Sequence, residues 1–243
     1  MIVNKLVIEI GNWFRMKKAY FNWSSGKDSS LALYYSMKSN DLKVVSLFSV
    51  ISSEEEKISM HEIKKELLIR QADAIGIPLT LFPFDPGWSA EEYGTAMKQC
   101  IEGFKAQGIT TALFGDIYLE ELRNKRIANC AGSGIKAEFP LWNIPLQEVM
   151  RQFVENGFKA IITCIDNSAL PEAFLGKVID REFIDNYPKN ADICGENGEY
   201  HSFVFDGPIF KKPVEFHMKQ KYHREYHQPE TNQIHRYSYL ELE

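Results

Sequence analysis

Ala19-Tyr20-Phe21-Asn22-Trp23-Ser24-Ser25-Gly26-Lys27-Asp28-Ser29-Ser30-Leu31-Ala32-Leu33 is an apolar run that breaks into a small, polar, lysine-bearing turn and resumes as a helix pattern. Lys18 to Trp23 is rich in aromatics and reads as a short buried strand, while Leu31, Leu33, Tyr34 and Met37 recur at helical spacing. The turn between them is therefore a strand-to-helix junction. A Ser- and Gly-containing loop feeding a helix N-terminus offers unpaired N–H groups and the positive end of the helix dipole, both suited to phosphate oxygens. Lys27 adds a mobile cation. A Walker A loop would need a glycine five positions before the Gly-Lys pair and Ser or Thr directly after it, and Phe21 and Asp28 stand there instead. The plainer alternative is an ordinary helix capped by Ser24 or Asp28.

Outward from this stretch the chain alternates. Lys43 to Val50 reads as a second strand buried on both faces, followed by a polar loop and a helix opening at Ser59-Met60-His61-Glu62 and stopped by Gly76 and Pro78. Pro78 to Phe84, a helix from Ser89 to Gly108, Thr110 to Phe114 closed by Gly115-Asp116, and a helix from Tyr118 to Cys130 continue the pattern. Such alternation predicts an α/β fold with a doubly wound parallel sheet and a ligand at the carboxyl ends of its strands. Two prolines around Trp142 suggest a hinge near 139–145, so the expected division is a nucleotide-binding domain over 16–140 and a smaller C-terminal α+β domain over 141–243. In the latter, Gln147 to Asn156 reads as helix, Lys159 to Ile165 as strand, and Asp180 to Tyr187 as a short helix. The runs 202–205, 211–216, 222–226 and 234–242 suggest an antiparallel sheet. Residues 1–15 read as an N-terminal extension.

At 243 residues, 44% hydrophobic and 25% charged, the chain matches a soluble globular protein. A net charge of -5 argues against a partner bound by neutralising many phosphates, so nucleic acid is disfavoured. Leu6 to Ile10 is too short for a membrane span or a secretory signal. Cys100, Cys130, Cys164 and Cys194 form no Cys-x-x-Cys pair, which points away from zinc and dithiol chemistry and towards a reducing cytoplasm. His223 and His227 share one face of an expected strand and read as an exposed edge.

Ser24-Ser25-Gly26-Lys27-Asp28-Ser29 resembles the phosphate loop of the N-type ATP pyrophosphatases, with Ser25 where that loop has its first glycine. At positive φ a serine there costs ~1 kcal/mol. Met60-His61-Glu62, Gly115-Asp116-Ile117, Glu138-Phe139-Pro140-Leu141-Trp142, and Cys194 to Val204 followed by Asp206-Gly207-Pro208 are similar to the signature blocks of the diphthine-ammonia ligase family. The run Gly195-Glu196-Asn197-Gly198-Glu199-Tyr200-His201 resembles its bacterial-type branch and not the Glu-Gly-Gly-Glu run of the ligases of known substrate.

The resemblance implies an adenine nucleotide alpha hydrolase-like (HUP-type) fold and an ATP-dependent amide ligase. ATP would adenylate a carboxylate with loss of pyrophosphate, and ammonia would displace AMP. The implied partners are ATP with Mg²⁺, ammonia and a carboxylate-bearing acceptor, with no membrane; a homodimer is compatible with the chain. A transfer-RNA-modifying enzyme of the same fold and a nucleotide-binding protein without turnover are the alternatives. On this reading Ser24, Ser25, Gly26, Lys27, Asp28 and Ser29 hold the phosphates, Ser49 and Val50 frame the adenine, and Gly115 and Asp116 line the nucleotide. Asp28 and Asp116 are also the candidate metal carboxylates. His61 faces nucleotide or acceptor, its alternative being a solvated residue in a helix's first turn. Arg123 and Arg126, three apart on one helix, and Trp142 are candidate acceptor contacts; a solvated face paired with Glu120 is the alternative reading of the arginines. Glu196, Asn197, Glu199 and His201 are expected over the ATP site, with Lys27, Asp28, Glu196, Glu199 and His201 carrying the chemistry.

Overall fold

The computed structural model describes residues 16–58, 61–228 and 233–243. The expected extension 1–15 lies outside them, as do Ser59 and Met60. Five parallel strands, β1 (Lys17–Asn22), β2 (Leu42–Ser52), β3 (Leu79–Phe84), β4 (Ile109–Leu113) and β5 (Lys136–Glu138), form one sheet in the order β3-β2-β1-β4-β5. The expected α/β fold is thus observed. The strand order reverses between β1 and β4, where a crevice opens at the carboxyl ends. There Asn22 Nδ2 donates to the carbonyl of Leu113 at 3.0 Å.

Alternation along β1 explains how the sheet is covered on both faces. Ala19, Phe21 and Trp23 point into one apolar cluster with Leu31 of α1 (Lys27–Lys38) and Leu67 of α2 (Lys65–Ile75). Tyr20 points the other way, into a cluster with Ile101 and Phe104 of α3 (Ala90–Ala106) and Cys130 of α4 (Glu120–Gly132). Burying both faces demands the near-continuous apolar strands seen in the sequence. Helix α3 starts where Ser89-Ala90-Glu91-Glu92 indicates, with a complete capping box between Ser89 and Glu92. Gly76 ends α2 at φ 81°, a left-handed cap.

The chain then passes through Leu141, which is fully buried, into α5 (Leu146–Glu155), β6 (Lys159–Asp166), α6 (Arg181–Asn186), β7 (Tyr200–Asp206), β8 (Met218–Gln228) and β9 (Gln233–Leu242). These strands form a four-stranded antiparallel sheet in the order β7-β6-β9-β8. The two sheets share a core, since the cluster holding Phe21 and Leu31 also holds Phe153, Ile162 and Phe203. Tyr34 Oη of α1 donates to Asn156 Oδ1 at 2.9 Å across this junction.

Two expectations need correction. The helix expected from Ser59 begins only at Lys65, because Glu62 adopts φ 55° and Lys57 pairs with Lys64 in an isolated bridge, so His61 sits on a tight loop. Lys211 to Phe216 is irregular and not a strand: Pro213 has no N–H for a ladder, and Lys211 N bonds instead to the Ala74 carbonyl at 2.7 Å. A short 3₁₀ turn, Glu172–Phe174, went unread in the sequence.

Candidate active site

The phosphate turn is shaped by backbone geometry and serine hydroxyls. Ser25 takes φ 72°, the left-handed conformation at which the serine penalty applies, and its buried Oγ has no hydrogen-bond partner among the described residues. The hydroxyls of Ser29 and Ser30 both donate to the Gly26 carbonyl at 2.9 Å, closing the first turn of α1. Asp28 is therefore not the helix cap; Gly26 stands at that position, and the Ser202 hydroxyl accepts from the Lys27 N–H at 3.2 Å. Gly115, after β4, lies so close to this turn that a Cβ on it would come 3.0 Å from the Ser29 nitrogen. Only glycine lets the β1 and β4 ends meet there.

The turn forms one wall of a cavity of about 280 Å³. Ser24, Gly26, Lys27, Asp28 and Ser29 line it, as do His61, Gly115, Asp116 and Arg126 of the first sheet's loops and helices. The opposite wall comes from the 194–202 segment, with Glu196 and His201 facing in. Sequence separations of well over a hundred residues are closed here by the packing of the two sheets.

Lys27 is 4% exposed, its Nζ 2.6 Å from Asp28 Oδ2, 5.1 Å from the Tyr200 ring centroid and hydrogen-bonded to the Cys194 carbonyl. Burial opposes the ammonium charge, but Asp28, Cys194 and Glu196 together outweigh it and raise the pKa, so Lys27 stays cationic. Glu196 accepts from the Ile117 N–H at 3.2 Å; burial and the nearby Asp28 carboxylate push its carboxyl up to about 7. His61 and His201 stack with ring centroids 4.2 Å apart. Burial and the Lys27 charge push His201 down to about 4, and burial with the neighbouring His201 and Lys27 pushes His61 well below its usual value. Both rings are therefore neutral hydrogen-bonding groups at pH 7. His61 owes its position to the next residue: Glu62 accepts from Lys57 Nζ at 3.0 Å, Tyr222 Oη at 3.1 Å and Arg224, anchoring the loop to β8.

Several expected site residues stand apart from the cavity. Glu199 does not line it, because its carboxylate is spent bracing the turn, accepting from Asp192 N at 3.3 Å and from Asn197 N and Nδ2 at 3.1 and 3.2 Å. Asn197 shares that bracing role. Ser49 donates to the Trp23 carbonyl at 2.6 Å, and Val50 packs against the Tyr20 cluster; neither lines the cavity. Arg123 turns away from Arg126: its guanidinium lies 4.7 Å from the Trp142 ring and 5.5 Å from Phe139, so Arg123 and Trp142 form a stack outside the cavity. Arg126 remains on the wall, its Nε 2.9 and 3.0 Å from the two Asp116 oxygens.

Asp28 and Asp116 are each paired with a cation. Lys27 neutralises one and Arg126 the other, and no group of three His, Cys, Asp or Glu side chains among the described residues is arranged to hold an ion.

Sequence reading missed Ser202, Gln71 and Tyr200. Gln71, fully buried on α2, accepts from the Trp23 indole at 2.9 Å and donates to the carbonyls of Ser25 at 3.2 Å and Val204 at 2.6 Å. A glutamine among Leu67, Leu68, Ala72 and Ile75 on an otherwise apolar helix face was its one visible signal.

Residues 16–137 match the diphthamide synthase N-terminal domain and residues 145–240 the diphthamide synthase C-terminal domain. The chain belongs to the diphthamide synthase family. Within that family it is 26% identical over 136 residues to the human diphthine–ammonia ligase, covering 53% of this chain and 49% of that protein. It is 30% identical over 101 residues to the Schizosaccharomyces pombe diphthine–ammonia ligase, covering 40% of this chain and 17% of that protein. The aligned part thus spans about half or less of these relatives. The first match ends at 137 and the second begins at 145, on either side of the stretch by which the chain leaves the parallel sheet.

Proposed function

We propose that this protein is an ATP-dependent, AMP- and pyrophosphate-forming amide ligase, with 16–140 as its nucleotide-binding unit and 141–243 supplying the acceptor side. The observation that carries this reading is the meeting of the Lys27 turn with Glu196 and His201 on one cavity. A carboxylate oxygen of the acceptor attacks the α-phosphorus of ATP, and the bond from that phosphorus to the β-bridging oxygen breaks. The charge that develops on the leaving pyrophosphate falls beside the α1 N-terminus and the Lys27 ammonium, which stabilise it without reorganising. A Mg²⁺ entering with ATP would add charge there, and drawing it onto Asp28 or Asp116 means separating that carboxylate from Lys27 or Arg126.

Ammonia then attacks the acyl-adenylate carbonyl, AMP leaves, and one proton must depart from nitrogen. Glu196, with a carboxyl at about 7, accepts it near neutral pH. His61 and His201, neutral and facing the cavity, orient the nucleophile as hydrogen-bond partners. The name diphthine–ammonia ligase carried by these relatives supports ammonia as the donor.

Incubating the protein with ATP, ammonium and a metabolite pool, and following AMP, pyrophosphate and the mass of any amidated product, tests the reading. Pyrophosphate release matched by a new amide is expected. No AMP formation with any acceptor would overturn it.

A further inference from the structure

The phosphate turn is joined to β7 at three points. Val204 N donates to the Ser25 carbonyl at 3.0 Å, Gln71 binds the carbonyls of both Ser25 and Val204, and Lys27 N donates to Ser202 Oγ at 3.2 Å. The fit is close, since a Cβ on Gly26 would lie 3.1 Å from the Ser202 carbonyl oxygen. Ser202 is 3% exposed and lines the cavity, so its hydroxyl stands at the α1 N-terminus where a phosphate oxygen would be received. That hydroxyl accepts from Lys27 N, while its own proton has no acceptor among the described residues. A buried donor without an acceptor, at the positive end of a helix and beside a lysine, is suited to an anion.

We propose that Ser202 is a phosphate-binding residue: its hydroxyl donates to the pyrophosphate portion of ATP, so the phosphate site is completed by a strand of the second sheet. Ser202 brings its hydroxyl to the turn from 175 residues away in the chain. This rests on the ATP reading above. Phosphate binding then requires β7 to be docked on the turn, so nucleotide affinity reports the junction of the two units.

The alternative role for Ser202 is a plain cap on the Lys27 amide, and the two roles predict opposite signs. Removing a cap frees an N–H for phosphate and leaves affinity equal or higher; removing a phosphate donor lowers it. Calorimetric titration with ATP carrying a methylene bridge between its α and β phosphates, and separately with AMP, should be made on the unaltered protein, Ser202→Ala and Ser202→Thr. Ser202→Ala is expected to bind the ATP analogue about tenfold more weakly, as for loss of a hydrogen bond to a charged group, with AMP affinity unchanged. Ser202→Thr, which keeps the hydroxyl, should recover most of the loss. On the unaltered protein the Lys27 amide resonance should shift when inorganic pyrophosphate is added.

Equal or tighter analogue binding by Ser202→Ala, a threonine variant as weak as alanine, or an unmoved Lys27 amide would each overturn the proposal. An unaltered protein that binds neither the analogue nor AMP would bring down the ATP reading itself, and this proposal with it.

Discussion

The Lys27 ammonium is hydrogen-bonded to the backbone carbonyl of Cys194, 167 residues further along the chain. This contact ties the Lys27 turn to the segment that carries Glu196 and His201.

Lys27→Ala should reduce pyrophosphate release by about a hundredfold or more through loss of a preorganised charge, while far-ultraviolet circular dichroism stays native. Lys27→Arg should be nearly as poor. The space between Asp28, the Cys194 carbonyl and the Tyr200 ring is matched to a point charge and not to a planar fork. An arginine variant with full activity would show that Lys27 is peripheral.

Ser25→Gly should stabilise the protein by about 1 kcal/mol, because glycine accepts φ 72° without a Cβ penalty. The change also removes a buried hydroxyl that has no partner among the described residues. Urea unfolding with an unchanged slope and a higher midpoint is the expected result. A lower midpoint would mean the hydroxyl has a partner that outweighs the strain.

Gln71→Leu should cost about 2 kcal/mol despite being nearly isosteric and apolar, since it leaves the buried Trp23 indole N–H without its acceptor. It should also weaken nucleotide binding by loosening Ser25 from Val204. A variant as stable as the parent in the same urea titration would rule out this coupling role.

The rate of amide formation should rise with pH through about 7, because Glu196 takes up a proton only once ionised. Burial, and then the Asp28 charge, set that value, so Glu196→Gln should lose this limb of the profile and most of the turnover while still binding ATP. Persistence of the same rising limb in Glu196→Gln would assign it to another group.

Acid should destabilise the fold through His201. Its folded pKa is about 4 against 6.5 for an ordinary histidine, so between these values the unfolded chain holds the extra proton and stability falls as pH drops. The loss reaches roughly 3 kcal/mol once pH passes below the folded value, and His61 acts in the same direction. Replacing His201 with asparagine should flatten this part of the curve of unfolding free energy against pH. An unchanged slope would mean that His201 titrates normally in the fold.

Much of this molecule was determined locally, and that part was legible in the sequence. The aromatic-rich run 18–23, the helix start at Ser89 to Glu92, Gly76 beyond α2 and the Gly26-Lys27-Asp28 turn each follow from residues a few positions apart, because backbone conformation and strand or helix periodicity are short-range properties. They were enough for a parallel sheet with a lysine-bearing turn at the end of β1. Which side chains meet that turn was decided only by tertiary structure. Ser202 reaches Lys27, Gln71 bridges Ser25 and Val204, and His61 stacks on His201 because β7 docks on α1 in one register. A slip of one residue in β7 would send Ser202 to the opposite face. Tertiary packing also removed Glu199 and Arg123 from the candidate site: once 192–199 closes as a turn, Glu199 satisfies its amides, and once α4 is packed, Arg123 is stacked on Trp142. No local pattern encodes those contacts, since each depends on the packing of elements distant in the chain.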